Sequence, residues 1–162
     1  MGRNAVVKTR NKNPKKRDFY IQKLTEIFKV HGLKKYSMDT IAAELDVSKA
    51  TLYHYFSTKD EMVEIVLMRV LGQLGSFETI TKNDTISFEK RFYLILELFS
   101  ETFTDISNIF LADLQQDYPK LWNQVQSFIE YTTNVLSDFY DAGKKAGKFI
   151  GIHTSILVVS DR

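Results

Sequence analysis

A stretch of twenty residues, 37–56, constrains the fold of this chain more than any other part of it. The stretch reads SMDTIAAELDVSKATLYHYF. Its first half carries apolar residues at helical spacing, which define one apolar face: Met38, Ile41, Ala42 and Leu45. Ser37 can cap the start of this helix, with Asp39 in its first turn, and Ser48 can cap a second helix after a break at residues 46–48. The pattern predicts two short helices joined by a tight turn.

The second helix has its own division between inward and outward residues. Leu52 and Phe56 stand one turn apart and are predicted to pack against the first helix, with Val47 beneath the turn. The side chains predicted to face outward are Lys49, Ala50, Thr51, Tyr53, His54 and Tyr55. A helix of about seven residues is roughly 10 Å long, a size that the major groove of DNA admits. The two helices therefore have the form of a helix-turn-helix, whose second helix is the recognition helix.

The wider sequence around these helices resembles the DNA-binding domain of TetR/AcrR-type transcriptional regulators. The resemblance rests on the run IAAELDVSKATLYHYFSTKDEM and covers about residues 17–65. The matching positions upstream of this run are Ile21, Leu24, Phe28 and Gly32. Beyond residue 70 the chain is rich in aromatic residues and helical in pattern, without a motif of the family.

The resemblance implies an all-α protein with an N-terminal three-helix DNA-binding domain and a helical body that binds an effector and forms the dimer. The bounds expected from the sequence are 1–17 for a basic flexible arm, 18–60 for the helix-turn-helix domain and 61–162 for the body. Members of the family usually continue with two further helices that form the dimer interface. In this chain those C-terminal dimer helices are expected to be short or missing.

The resemblance also assigns contacts to DNA. In the family, the tyrosine of the recognition helix and the lysine just before the next helix contact phosphates, and these are Tyr53 and Lys59 here. Phosphate contacts fix the register but carry little sequence information. Lys49 can reach guanine O6 and N7, and Thr51 can offer a methyl group to thymine. The full predicted set of DNA-contacting residues is Ser37, Thr40, Ser48, Lys49, Ala50, Thr51, Tyr53, His54, Tyr55 and Lys59.

Some of these residues have a purely structural alternative. Tyr53 would then pack against Leu24 or Phe28 instead of facing DNA. Helix capping alone is enough to explain Ser37 and Thr40. In each alternative, the contacts of the side chain are made within the protein and not with DNA.

Charge is unevenly distributed along the chain. Residues 1–17 hold seven Lys or Arg and no Asp or Glu. Residues 1–60 hold 13 basic and 6 acidic residues, a net charge of +7, whereas residues 61–162 hold 9 and 14, a net charge of −5. A basic head on an acidic body is typical of a DNA-binding domain attached to another module. The basic N-terminus is expected to touch phosphates or a minor groove, the alternative being a tail with no role in binding.

The remaining sequence predicts further helices with many aromatic side chains. Residues 88–103 are apolar nearly all round, which predicts a buried central helix, and residues 79–87 are interpreted as a polar connection before it. Residues 61–162 contain nine Phe, four Tyr and one Trp, enough to line a cavity for a small apolar or aromatic effector. The candidate lining residues are Phe92, Phe99, Phe103, Trp122, Asn123, Gln126, Phe128 and Tyr131. The alternative for each aromatic residue is that it fills the core.

Two helix boundaries in the body are marked in the sequence. Thr58-x-x-Glu61 has the form of a capping box, which predicts the start of a helix. A long helix is predicted to begin at Pro119, and Gly143 and Gly147 mark its end.

Other classes of protein are not favoured. The chain has no cysteine, so it lacks a thiol nucleophile, and its three histidines are not at metal-binding spacing. Glu97 and Glu101 stand one turn apart, as a solvated stripe would, and there is no glycine-rich phosphate loop. No catalytic residue, cofactor or metal is therefore assigned. No apolar run approaches the roughly 18 residues that span a bilayer, which predicts a cytoplasmic protein without a membrane partner.

Together these inferences predict a ligand-responsive transcriptional regulator of TetR type. It is expected to be a repressor that binds a palindromic double-stranded operator as a homodimer and is released by a small molecule. Two recognition helices about 34 Å apart would read successive faces of the major groove. The alternative is an architectural, chromosome-organising protein of the same fold without an effector, which would occupy many scattered genomic sites.

Overall fold

The structure, a computed structural model, describes residues 13–148, and helices account for most of them. The helices are α1 (Pro14–His31), α2 (Met38–Glu44), α3 (Lys49–Tyr55), α4 (Lys59–Gln73), α5 (Phe77–Thr81), α6 (Phe88–Phe103), α7 (Asn108–Asp117) and α8 (Pro119–Lys145). A 3₁₀ turn, Leu74–Ser76, joins α4 to α5, and no β-strand occurs within residues 13–148. The all-α prediction is confirmed. We call α1–α3 the head and α4–α8 the body.

Hydroxyl groups cap the two helices of the helix-turn-helix, as predicted. Ser37 Oγ accepts a hydrogen bond from the Thr40 backbone N–H at 3.2 Å, and Thr40 Oγ1 accepts one from the Ser37 N–H at 2.7 Å. This reciprocal capping box begins α2. Ser48 Oγ accepts a hydrogen bond from the Thr51 N–H at 3.0 Å and begins α3. Local chemistry therefore sets where both helices start.

Two boundaries in the body differ in detail from the prediction. At the start of α4, Thr58 accepts a hydrogen bond from the Glu61 N–H at 3.1 Å. The Glu61 carboxylate, however, accepts one from the Ser57 N–H at 2.7 Å, which completes the cap one residue earlier than a capping box does. At the other end of the body, Gly143 lies buried within α8. The glycine with a positive φ, 69°, that follows the helix is Gly147.

One hydrophobic cluster, which we call the first core, joins the head to the body. Its fully buried members from the head and the start of α4 include Leu24, Phe28, Leu33, Ile41, Leu52, Phe56, Met62, Val63 and Val66. Phe110, Leu114 and Val125 of α7 and α8 belong to the same cluster. Burying one such side chain stabilises a fold by about 1.5–3 kcal/mol. The head therefore shares its core with α7 and the first half of α8.

A second core lies at the end of the body where α5, α6 and α8 meet. The Phe88 and Phe139 rings stack with centroids 4.2 Å apart, and the Arg91 guanidinium lies over both, at 4.8 and 5.7 Å from their centroids. Phe77 of α5 is buried in this cluster. The prediction of a polar connection over residues 79–87 is therefore wrong at its start, because α5 anchors this part of the chain through Phe77.

The prediction that residues 88–103 form a buried central helix is also wrong. The buried residues of α6 are Phe88, Ile95 and Thr102, whereas Tyr93 is 66% exposed. Within residues 13–148, α6 packs against α4 and α5 and, near its N-terminus, against α8. A helix that is apolar all round is buried only when neighbours surround it. These neighbours cover one side of α6 and leave Tyr93 in solvent.

The two ends of the chain lie partly outside the described residues. Residues 1–12 of the predicted basic arm fall there, but Lys15, Lys16 and Arg17 are helical in the first turn of α1, which Asn13 caps. Residues 149–162, where the dimer helices are expected to be short or missing, also lie outside the described residues. Each helix within residues 13–148 is too short or too polar to cross a lipid bilayer.

Candidate nucleic-acid interface

Helix α3 presents a row of accessible side chains on the face opposite the first core. Tyr53 is 48% exposed, and Lys49 and Ala50 are also exposed. Thr51 and His54 are half-buried beside them. The exposure of Tyr53 excludes the alternative in which its ring packs inside the head. Five of the residues predicted to contact DNA thus lie along one short helix.

Tyr55 does not belong to this row. It is 5% exposed, and its ring meets the Tyr20 ring edge to face with centroids 5.2 Å apart. The prediction that Tyr55 faces outward is wrong. It stands three residues after Leu52 and next to Phe56, and residues three or four apart share a face of a helix. The inward spacing of this ring was therefore visible in the sequence, and Tyr55 contributes to packing between α3 and α1.

Three hydroxyl side chains of the predicted set are both capping groups and surface groups. Ser37 and Thr40 are exposed while they cap α2, and Ser48 is exposed while it caps α3. The Ser48 and Thr51 hydroxyl oxygens lie 2.8 Å apart. A hydroxyl has one donor and two acceptor sites, so Ser37 and Ser48 can each make another hydrogen bond besides the cap. The Thr40 hydroxyl already donates to the Ser37 carbonyl at 3.0 Å.

Lys59, the first residue of α4, is held in place by the head. Its Nζ donates a hydrogen bond to the Leu33 carbonyl at 2.8 Å, and its side chain is half-buried. A lysine ammonium has three donors, so two are left for a phosphate. The bond to Leu33 removes some of the freedom that a flexible lysine would lose on binding DNA.

An ion pair links the first turns of α2 and α3. Lys49 Nζ lies 2.7 Å from Asp39 Oδ1, and both side chains are exposed. The hydrogen bond to Asp39, together with its charge, raises the pKa of Lys49 above its ordinary value. Lys49 is therefore a cation at neutral pH, and its ammonium is paired with the Asp39 carboxylate.

The turn that follows α1 is held by a carboxylate from the body. Gly32 has φ 75° and ψ −169°, a conformation essentially restricted to glycine. Asp113 Oδ2, buried on α7, accepts hydrogen bonds from the Leu33 N–H at 2.6 Å and the Lys34 N–H at 3.0 Å. Sequence reasoning missed Asp113, since it lies 80 residues from Leu33 in the chain. No local pattern marks such a contact.

A second set of bonds joins α1 to the last turn of α6 and to the connection that follows it. The Ser107 N–H donates to the Lys29 carbonyl at 2.8 Å. Lys29 is itself buried, and its Nζ donates to the Thr102 carbonyl at 3.3 Å. The chain between α6 and α7 therefore cannot shift without loosening its bonds to α1.

A third contact, within the body, lies between the residue that joins α7 to α8 and the start of α4. Tyr118, between α7 and α8, is half-buried near the carboxylates of Asp60 and Asp117. Burial, together with the nearby charges of Asp60 and Asp117, raises the pKa of Tyr118 to about 12. The tyrosine is neutral in the folded protein until the solution is strongly alkaline.

Replacing Tyr118 with phenylalanine is expected to change the response of stability to alkaline pH. The hydroxyl loses its proton near pH 10 in the unfolded chain and near pH 12 in the folded one. Between these values the unfolded state binds fewer protons, so the wild-type protein loses stability as the pH rises. As the pH rises from about 8 to 11, the melting temperature of the wild type should fall relative to that of Tyr118→Phe. A difference that is constant across this range would contradict the assignment.

The residues predicted to line an effector cavity are spread over α6 and α8. Phe99 and Phe103 stack with ring centroids 5.7 Å apart. Trp122 packs against the first core, whereas Phe92 and Phe99 pack against the second. The remaining candidates lie along α8, with Asn123 and Gln126 exposed, Phe128 half-buried and Tyr131 exposed with its hydroxyl donating to Glu78. The structure therefore brings together part of the predicted set.

A concave site of about 430 Å³ lies between α5, α6 and α8, and the predicted lining residues are not part of it. Its lining includes Lys82, Phe88, Arg91 and Phe139. This volume falls in the range of small-molecule sites. The Arg91 guanidinium is already engaged, because it donates to the Thr81 carbonyl and to Asp84, each at 2.9 Å.

Residues 21–66 match the sequence model described as "Bacterial regulatory proteins, tetR family". The match begins in α1, includes α2 and α3 and ends within α4. It therefore covers the helix-turn-helix and the residues of the α3 row.

Curated relatives extend the likeness into the body. The chain is 24% identical over 138 residues to the uncharacterized HTH-type transcriptional regulator YvaF of Bacillus subtilis (strain 168), covering 83% of this chain and 73% of that protein. It is 28% identical over 141 residues to the HTH-type transcriptional activator FasR of Mycolicibacterium smegmatis, covering 84% and 64%. It is 34% identical over 76 residues to the HTH-type transcriptional repressor KstR2 of the same organism, covering 46% and 37%. The chain thus spans less than two thirds of the length of FasR and of KstR2.

A solved structure confirms the fold. The ketosteroid transcriptional regulator KstR2 of Mycobacterium tuberculosis superposes with a TM-score of 0.73 at 17% identity, covering 93% of this chain and 80% of that one. At this identity the likeness concerns the fold, with the helix-turn-helix at one end and the helical body at the other.

Proposed function

We propose that this chain is a transcriptional regulator of the kind described as bacterial regulatory proteins of the tetR family, and that it is a ligand-responsive repressor. It binds a palindromic operator as a homodimer and is released by a small apolar or aromatic molecule. Residues 18–60 recognise the DNA, and residues 61–162 hold the effector and the dimer surface. The observation that carries the proposal is the exposed row on α3, in which Lys49, Ala50 and Tyr53 face away from the first core.

Repression is the proposed mode of action. One relative is named an activator and another a repressor, so the family alone leaves the direction open. A homodimer that places two recognition helices about 34 Å apart covers successive faces of the major groove. Such a protein occludes the DNA between its heads. A reporter gene placed behind the operator should therefore be expressed less when the protein is present, and increased expression would identify an activator.

The bonds between body and head support release by a ligand. Asp113 of α7 holds the Leu33 N–H, and Lys59 of α4 holds the Leu33 carbonyl. An effector that shifts α7 or α4 would therefore disturb the turn that positions Lys59. A coupling of only about 1–3 kcal/mol between effector and DNA changes the affinity for DNA about 5- to 150-fold.

Replacing Tyr53 or Lys59 with alanine is expected to weaken binding to every duplex. Phosphate contacts do not depend on sequence, so the loss should be similar for specific and scrambled DNA. Loss of the lysine should also lower the slope of log affinity against log salt by about 0.9, the contribution of one phosphate. Fluorescence anisotropy with labelled duplexes at several salt concentrations measures both quantities.

A matched control for Lys59→Ala is Lys90→Ala, which removes an exposed lysine from α6 in the acidic body. This variant should bind DNA as the wild type does. Unchanged affinity in both Tyr53→Ala and Lys59→Ala would show that the DNA-facing surface has been placed wrongly.

The experiment that tests the function as a whole is binding to the DNA that flanks the gene of this protein. Tight binding with a palindromic footprint, compared with a scrambled duplex, would support a local regulator. Counting the occupied sites across the genome distinguishes the proposed regulator from the architectural alternative. A regulator occupies few sites, whereas a chromosome-organising protein occupies many scattered ones.

A further inference from the structure

The ion pair between Lys49 and Asp39 lies on the surface that α2 and α3 share. Lys49 is the first residue of α3, and Asp39 is the second residue of α2. Their side chains are 54% and 70% exposed, and the distance from Nζ to Oδ1 is 2.7 Å. Lys49 therefore meets incoming DNA with a carboxylate already bonded to it.

Stability gives little reason for a carboxylate at this position. Water and salt screen exposed ion pairs, so they contribute little to stability. Helix α2 also has its own cap, since Ser37 and Thr40 form a complete capping box. A polar uncharged residue at position 39 would therefore preserve the helix. A carboxylate in the first turn of α2 also interacts weakly with the helix dipole, but any acidic residue of that turn could do so. What a carboxylate at position 39 adds is a negative charge beside the Lys49 ammonium.

That charge separates the two kinds of acceptor that DNA offers to a lysine. A phosphate is anionic, so a phosphate that approaches Lys49 is repelled by the carboxylate of Asp39. Guanine O6 and N7 are uncharged acceptors in the major groove. The ammonium has three donors, and the two that do not face Asp39 remain available. The pair therefore permits contact with a base edge and penalises contact with a phosphate.

We propose that Asp39 is a specificity-determining residue that withholds the Lys49 ammonium from phosphates. Lys49 then adds to affinity only where an uncharged base-edge acceptor, such as guanine O6 or N7, lies opposite it. This inference rests on the proposed function, recognition of DNA by α3, and deepens it. Asp39 acts through Lys49. It lowers the affinity for DNA in which only phosphate groups, and no base-edge acceptors, lie within reach of this lysine.

The test is the Asp39→Asn variant of the full chain, which removes the charge and keeps the shape of the side chain. Two duplexes are needed: one selected by the wild-type protein from a randomised library, and a scrambled duplex of the same composition. Freeing Lys49 adds one phosphate contact on scrambled DNA. The salt slope should steepen by about 0.9, an additional gain of about threefold in affinity between 200 and 50 mM salt. Affinity for the selected duplex should change less, so the ratio of the two affinities falls.

Two further variants separate the pair from a general effect of charge. Glu44→Gln removes the same charge from the exposed end of α2 without freeing Lys49, and it should leave the ratio unchanged. In a Lys49→Gln background, Asp39→Asn should have no further effect, as a double-mutant cycle requires for an interaction through that side chain. Melting curves confirm that each variant is folded, and Asp39→Ser provides a second uncharged replacement.

The possible outcomes distinguish the inference from the function on which it rests. The inference alone is overturned if the wild-type protein prefers the selected duplex and the ratio of the two affinities is the same in Asp39→Asn and Asp39→Ser as in the wild type. An effect that persists with Lys49→Gln, or that Glu44→Gln reproduces, also overturns it. Wild-type protein that binds neither duplex overturns the proposed function and the inference with it.

Discussion

Replacing Gly32 with alanine is expected to lower the free energy of unfolding by about 3 kcal/mol or more. Its φ of 75° and ψ of −169° lie in a region that costs a residue with a Cβ about 1–3 kcal/mol. An added Cβ would also lie 2.5 Å from Ile109 Cγ2 and 2.7 Å from Asp113 Oδ2. Ile109 is exposed and can move aside. Asp113 can move only by giving up its hydrogen bonds to the turn after α1.

For a chain of this length, such a loss corresponds to a fall in melting temperature of about 6–12 °C. The matched control is Gly72→Ala within α4, where nothing lies within 4 Å of an added Cβ. That change should stabilise the protein by about 0.5–1 kcal/mol, because alanine favours a helix interior. Thermal and chemical unfolding of both variants should show a lower free energy of unfolding for Gly32→Ala and a higher one for Gly72→Ala. A Gly32→Ala protein that melts with the wild type would show that the turn after α1 has another conformation in solution.

Replacing Asp113 with alanine is expected to lower the free energy of unfolding by about 2–4 kcal/mol. The side chain accepts hydrogen bonds from two backbone N–H groups, those of Leu33 and Lys34. Leaving a buried donor without a partner costs about 1–3 kcal/mol. Asp113→Asn keeps an oxygen that can accept these bonds and should be affected less.

Asp117→Ala is the matched control for Asp113→Ala, since it removes an exposed carboxylate one turn later on α7. Asp117 pairs with Lys34 at 3.8 Å on the surface, and its loss should change stability by no more than about 0.5 kcal/mol. Equal melting temperatures for Asp113→Ala and Asp117→Ala would contradict the role of Asp113 in joining body to head.

Sequence reasoning succeeded where short-range chemistry decides the structure. Ser37 and Ser48 are caps that each act on a backbone N–H group three residues away, and the structure shows both. Leu52 and Phe56 face inward because four residues complete about one turn of helix. The same spacing rule, applied from Leu52 to Tyr55, would have placed that ring in the core.

Burial in the body could not be predicted in this way. The apolar pattern of α6 shows what the helix is able to bury, but the position of neighbouring helices decides what it does bury. Tyr93 and Phe103 are exposed for this reason. Contacts over long separations were equally invisible. Asp113 meets Leu33 and Lys29 meets Thr102 across 80 and 73 residues, and no pattern in one sequence pairs such positions.

The backbone of Leu33 is bonded to two different helices of the body. Its N–H donates to Asp113 of α7 at 2.6 Å, and its carbonyl accepts from Lys59 of α4 at 2.8 Å. Replacement of this single amide proton by deuterium requires that the bond to α7 open first. Its exchange lifetime therefore reports the free energy of local opening between α1 and α7, separately from global unfolding. The exchange rate of this one amide proton therefore measures how often the body releases the turn between α1 and α2.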